Sequence, residues 1–176
     1  MEEIMEIYLI KKNKSKLKNK KKNLSKEEIT EIIIEKNNYK NSKAASIGAL
    51  KIVQKYRGWI SDKIINEIAK LIGINPTELD SIATFYSLIY RKPVGNNIIF
   101  LCDSITCYIN GSEIIYQKLK KELGIIMGET TNDKRFTLLP ICCLGNCDKS
   151  PNIMINKDIY YNLIKKNISK ILELYK

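Results

Sequence analysis

The residues of this chain with the most chemistry to offer are sulfurs. Cys102 and Cys107 stand in C-D-S-I-T-C, Cys143 and Cys147 stand in C-L-G-N-C, and the 176 residues include no histidine. Without imidazole, the commonest metal ligand and neutral-pH acid/base group is missing, and thiolate ligation is what remains. Each pair closes a short loop able to aim two thiolates at one iron, so two such loops meeting would enclose a 2Fe-2S cluster. Zinc is the main competitor, because four cysteines also make a tetrahedral structural site. The first pair has four intervening residues and the second three, a spacing that leans toward iron-sulfur without excluding zinc. A thiol-disulfide enzyme fits less well, since the redox C-x-x-C motif is absent. Cysteines that bind nothing are an implausible reading of two pairs placed at loop ends. Cys142 is read as a buried spare or supporting thiol, because four ligands already complete the set.

Ligation by four thiolates sets an electrostatic problem. An oxidised two-iron core would leave the site at roughly −2 and one-electron reduction would take it to roughly −3, with a potential near about −400 mV. Amide N–H groups aimed at the sulfurs offset part of that charge. Leu144-Gly145-Asn146 is a compact loop suited to the task, with Gly145 permitting close backbone approach. Lys149 reads either as further charge compensation or as plain surface.

The elements that must position these loops can be read from composition and periodicity. The chain is 44% hydrophobic, enough for a real core. Its five cysteines are an odd number, and the start Met1-Glu2-Glu3 is acidic with no long apolar run, so reduced cytosolic thiols are expected rather than a disulfide framework. No apolar stretch approaches the roughly 18 residues of a membrane span. Of the 30 basic residues only Arg57, Arg91 and Arg135 are arginine, while isoleucine is abundant and valine occurs only at Val53 and Val94. That bias reads as compositional drift on solvated faces more than as a nucleic-acid surface, where arginine forks are preferred.

Lysines crowd residues 11 to 22, so residues 1–24 are expected to be a solvated, flexible arm. Residues 25–92 are expected to form a small helical bundle. Ser25 and Glu28 make a capping box ahead of Ile29, Ile32 and Ile33. A second helix is expected over 44–55, with Ile47, Leu50 and either Ile52 or Val53 inward, stopped at Arg57-Gly58. A third starts at Ser61 and presents Ile64, Ile68 and Leu71. The fourth starts at Asn75-Pro76, with Glu78 reaching back, and presents Leu79, Ile82 and Phe85. Residues 93–97 read as a linker. From 98 to 176 the period changes: a buried strand at Ile98–Leu101 ending in Cys102, a helix over 112–123 with Ile115 and Leu119 inward, strands at 136–141 and 152–155, and a helix over 163–174. That order of elements is the one of a thioredoxin-like half-wound fold, giving an α+β chain overall, with both cysteine loops at strand ends. No internal repeat and no nucleotide-binding glycine motif is present.

The chain resembles the thioredoxin-like 2Fe-2S subunit of bacterial NADH:quinone oxidoreductase, respiratory complex I, known as the 24 kDa or E-subunit family. The resemblance runs from about Ser25 onward, through A-L-K-I-V-Q-K-Y-R-G-W-I at 49–60, A-T-F-Y at 83–86, K-P-V-G at 92–95, C-D-S-I-T-C, G-E-T-T, R-F-T-L-L-P and C-C-L-G-N-C-D-K-S-P. It implies that Cys102, Cys107, Cys143 and Cys147 ligate one 2Fe-2S cluster. It also implies a neighbouring subunit that binds FMN and NADH and performs hydride transfer, together with other peripheral-arm subunits, no nucleic acid and no direct membrane insertion. The chain would then lie on the cytoplasmic side of the inner membrane through the complex, exchange one electron with the flavin, and contribute no catalytic residue of its own. A diaphorase module of an NAD-linked hydrogenase or formate dehydrogenase is the alternative setting. In either, Trp59, Phe85 and Tyr86 are expected in the core, with an interface role as the lesser reading.

Overall fold

The computed structural model describes residues 23–175, so nearly all of the expected arm at 1–24 lies outside the described residues. The chain divides into two compact units between Pro93 and Val94.

The first unit is helical. Helix α1 (Lys26–Asn37) opens on a complete capping box: the Ser25 hydroxyl accepts the Glu28 N–H at 3.2 Å, and the Glu28 carboxylate accepts the Ser25 N–H at 2.7 Å. Glu28 is only 2% exposed, and Arg57 meets both of its oxygens at 2.6 Å. Removing either member of such a pair strands a buried charge, at a typical cost of about 3–5 kcal/mol. Helix α2 (Ser46–Arg57) starts two residues later than expected because 42–45 form a 3-10 turn capped by Asn41. Helices α3 (Asp62–Ile72) and α4 (Pro76–Phe85) follow, the latter capped by the Asn75 side chain on the Thr77 N–H at 2.8 Å. Glu78 does not reach back; its carboxylate is paired with Lys43 at 2.8 Å.

Ile32, Leu50, Val53, Ile68 and Leu79 form the centre of this unit, with Val53 rather than Ile52 fully enclosed. Four expectations fail here. Phe85 is 81% exposed and Tyr86 is also exposed, their rings stacked edge to face at 5.3 Å; Trp59 is half-buried. Ile33 is exposed as well. The cause is angular: α4 buries Leu79 and Ala83, and Phe85, six residues from Leu79, is rotated far from that stripe. Ile33 likewise lies more than a quarter of a turn from the buried line of Glu28 and Ile32.

The second unit is a mixed four-stranded sheet in the order β2-β1-β3-β4, with β1 (Asn97–Cys102), β2 (Phe136–Ile141), β3 (Ile153–Ile155) and β4 (Asp158–Tyr160). Strands β1 and β2 are parallel, and β3 and β4 run antiparallel to their neighbours. Helix α5 (Ile105–Ile109) is a single turn inside the first cysteine loop, and α6 (Ser112–Leu123) provides the crossover to β2. Helix α7 (Lys165–Glu173) closes the unit. Ile115, Leu119, Ile168 and Leu172 share one core with Ile99, Leu101, Phe136, Leu138 and Ile153. The elements expected over 112–123 and 136–141 form over those residues. The short β4 and α5 were not foreseen; β4 joins β3 through a tight turn in which Asn156 takes φ 58°.

Gly95 fixes where β2 begins. Its N–H donates to the Thr137 hydroxyl at 2.6 Å, and a Cβ at this position would lie 2.9 Å from the Lys134 carbonyl oxygen and 2.9 Å from the Phe136 carbonyl carbon. Backbone cannot move aside as a side-chain tip can. Gly95→Ala is therefore expected to destabilise the fold by about 1–3 kcal/mol, read as a lower midpoint in chemical denaturation; an unchanged midpoint would show that this approach is not constraining.

Candidate metal centre

Because β1 and β2 are parallel, the segments leaving their C-terminal ends emerge on the same side of the sheet. Cys102 is the last residue of β1, paired across the ladder with Ile141, the last residue of β2. Cys107 follows in α5, and Cys142, Cys143 and Cys147 follow β2, with Cys147 opening a 3-10 turn at 147–149. The two pairs expected from spacing thus occupy one end of the second unit. They differ in depth: Cys102 and Cys107 are 1% and 0% exposed, whereas Cys143 and Cys147 lie at the surface.

The Cys143 and Cys147 sulfurs are 3.6 Å apart. A tetrahedral metal with bonds of about 2.3 Å to sulfur would hold two thiolates about 3.8 Å apart, so the second loop is already close to the spacing of a two-thiolate chelate. Cys102 and Cys107 are near enough for each sulfur to shift the ionisation of the other. Among the described residues no three cysteine or acidic side chains gather around one point where a lone ion would sit. A structural zinc site asks for four ligands on one centre, and a two-iron core for two on each iron.

The charge on the sulfurs is managed locally. Burial pushes the Cys102 thiol up, but the hydroxyl and N–H of Ser104, then Cys107 and the Leu144 N–H, outweigh it and hold the thiol below its ordinary range. The Ser104 hydroxyl lies 3.4 Å from the sulfur. Cys107 is pushed up, first by burial and then by the Cys102 sulfur, against the opposing effects of the Asn152 N–H and Ser104. Cys147 is pushed up chiefly by the neighbouring Cys143 sulfur, with weaker contributions from Cys107 and Cys102. In each pair one sulfur is held back from ionising, Cys147 chiefly by its neighbour and Cys107 first by burial and then by its neighbour. A bound cation would offset that penalty.

Gly145 donates its N–H to the Cys143 sulfur at 3.3 Å. Its φ of 82° is the reason glycine suits the site; a Cβ there would meet nothing within 4 Å, so close approach is not what requires it. Lys149 directs its ammonium over the Tyr161 ring at 5.0 Å. Cys142 is exposed, contrary to the buried thiol expected, because it lies beyond the last ladder pair of β2. Its carbonyl, 3.8 Å from the Cys102 sulfur, is what faces the site.

Four further side chains lie around the loops, and none was foreseen. Ser104 occupies the N-cap position of α5 without a side-chain cap bond, its hydroxyl lying against the Cys102 sulfur instead. Asn110 Nδ2 donates to the Ser150 hydroxyl at 2.6 Å, which in turn donates to the Cys147 carbonyl at 2.9 Å. Asn152 is 1% exposed and donates its side-chain N–H to the Asn146 carbonyl at 2.6 Å. Ser104 carried a local signal, since a serine preceding a short helical turn is a common cap. The partners of Asn110 and Asn152 are not set by any local pattern.

Comparison with known proteins places this geometry. Residues 29–176 match the family described as thioredoxin-like [2Fe-2S] ferredoxin. The chain is 54% identical over 153 residues to the E subunit of NADH-quinone oxidoreductase from Buchnera aphidicola subsp. Acyrthosiphon pisum, covering 87% of this chain and 94% of that protein. It is 52% identical to the corresponding E subunit from Escherichia coli K12, covering 81% and 86% respectively. Among solved structures, an NAD+-reducing [NiFe]-hydrogenase in the H2-reduced state superposes with a TM-score of 0.63 at 22% identity, over 74% of this chain and 22% of that one; this is a likeness of fold. The chain belongs to the thioredoxin-like [2Fe-2S] ferredoxin family, in the company of the NADH-quinone oxidoreductase E subunits.

Proposed function

We propose that this chain is the electron-transferring E subunit of an NADH-quinone oxidoreductase, holding one 2Fe-2S cluster through Cys102, Cys107, Cys143 and Cys147. The observation that carries the reading is the placement of both cysteine pairs beyond the C-terminal ends of the paired parallel strands β1 and β2, in a chain 49–54% identical to proteins of that name. A bound cluster supplies one-electron chemistry. The chain's residues hold the four thiolates, aim the Ser104, Leu144, Gly145 and Asn152 N–H groups toward them, and shelter the first pair from water.

The FMN- and NADH-binding work belongs to a neighbouring subunit. The exposed Cys143–Cys147 loop is the side from which an electron would arrive. The complex, and this chain with it, would sit at the cytoplasmic face of the inner membrane; among the described residues no helix is long and apolar enough to cross a membrane. A hydrogenase-linked setting rests on likeness of fold alone and is not favoured.

The purified full chain is expected to be coloured, to contain about two irons and two sulfides per chain, and to give a low-temperature EPR signal only after dithionite reduction. A colourless, EPR-silent protein carrying stoichiometric zinc would end the iron-sulfur reading. Ligand identity is tested by substitution. Cys142→Ser should retain the cluster and its EPR line shape, whereas Cys143→Ser and Cys147→Ser should lose it or change it strongly. The reverse pattern would move the second loop's ligand set by one residue.

A further inference from the structure

The least expected group near the cysteines is the side chain of Asn152. It is almost wholly enclosed, and its Oδ1 has no hydrogen-bond partner among the described residues. Burying an unpartnered acceptor opposes folding, so a stability argument would place an apolar residue here. Yet Asn152 reaches both cysteine loops. Its main-chain carbonyl accepts the Cys102 N–H at 3.2 Å, its main-chain N–H is directed at Cys107, and its Nδ2 donates to the Asn146 carbonyl at 2.6 Å, one residue before Cys147. The two main-chain contacts need no particular side chain. The third does, and it ties the exposed second loop to the residue whose main chain bonds the end of β1 at Cys102.

We propose that Asn152 is a positioning residue whose side-chain amide holds the second cysteine loop at cluster-binding distance from the first, and that it is retained at the expense of the fold. This rests on the reading that the four cysteines hold a 2Fe-2S cluster. The polar link between Asn110 and Ser150 spans the same two loops, but Asn110 is exposed, so water competes for its contact. The buried Asn152 contact has no such competitor. The amide therefore acts on the cluster through Asn146 and Cys147 without touching it.

Asn152→Leu removes the donor and the orphaned acceptor together at nearly constant volume. The full chain carrying it is expected to release iron to a chelator about 10-fold faster than wild type, the usual effect of losing an outer partner of a metal ligand. It should also show an altered EPR line shape. Its cluster-free form should melt at the same temperature as cluster-free wild type or higher. Opposite effects on cluster retention and on the fold are what a merely structural asparagine would not produce. Asn152→Asp, which sets a carboxylate against the Asn146 carbonyl, should release iron faster still. Asn146→Ala keeps that carbonyl and should stay within about twofold of wild type.

Unchanged iron release in Asn152→Leu would overturn the proposal. So would a leucine variant that fails to fold or melts lower, because the side chain would then be serving the fold. A wild-type chain with no 2Fe-2S signal would instead sink the underlying assignment, before any variant is compared.

Discussion

Crowding of like-charged sulfur is the constraint on which the second unit depends. Cys143 and Cys147 stand 3.6 Å apart, and the Cys143 sulfur holds the Cys147 thiol back from ionising, while burial and then the Cys102 sulfur do the same to Cys107. An arrangement that resists carrying its own charge needs a reason to persist. Metal ligation supplies one, since it requires the ionised form and rewards it with bonds to a cation. The surrounding structure answers the same problem with fixed dipoles. Amides of Ser104, Leu144, Gly145 and Asn152 come from four different positions and point at sulfur, a role that was one of two readings of Lys149. The ammonium of Lys149 is instead drawn to the Tyr161 ring, so the compensation is made by backbone, which cannot swing away.

The parts of this architecture that were legible in the sequence are those written locally. Ser25 and Glu28 announce a helix start because both halves of the capping box lie within one turn. Asn75-Pro76 does the same for α4, and the apolar spacing of Ile115 and Leu119 marks α6 from Ser112 to Leu123. The run from Phe136 to Ile141 reads as a strand because it is continuous and apolar enough to need burial. The cysteine pairs belong to this class too, each being a loop of a few residues.

What was not legible depends on how separate elements meet. Phe85 looks like core by composition and is solvent-facing by angle, which only the position of the helices around Leu79 and Ala83 decides. Strand β4 is three residues long and exists because β3 offers it an edge. The Asn110–Ser150 and Asn152–Asn146 bonds link residues 40 and 6 positions apart, and no periodicity encodes either. Asparagine in a segment otherwise reading as buried strand was the available clue, because such a residue weakens a core unless its amide is used.

Strand register decides how the adjacent cysteines Cys142 and Cys143 leave the sheet. The β1–β2 ladder is parallel and in continuous register from Asn97 opposite Phe136 to Cys102 opposite Ile141. That pairing is fixed by burial, since a slip of one residue would turn Phe136 and Leu138 out of the core. With the ladder pinned, Cys142 leaves β2 with its carbonyl toward the Cys102 sulfur and its thiol toward solvent, while the next residue brings sulfur to within reach of the Gly145 N–H. The choice between two adjacent and chemically identical side chains is therefore made some distance away, by the apolar residues that fix where two strands stop.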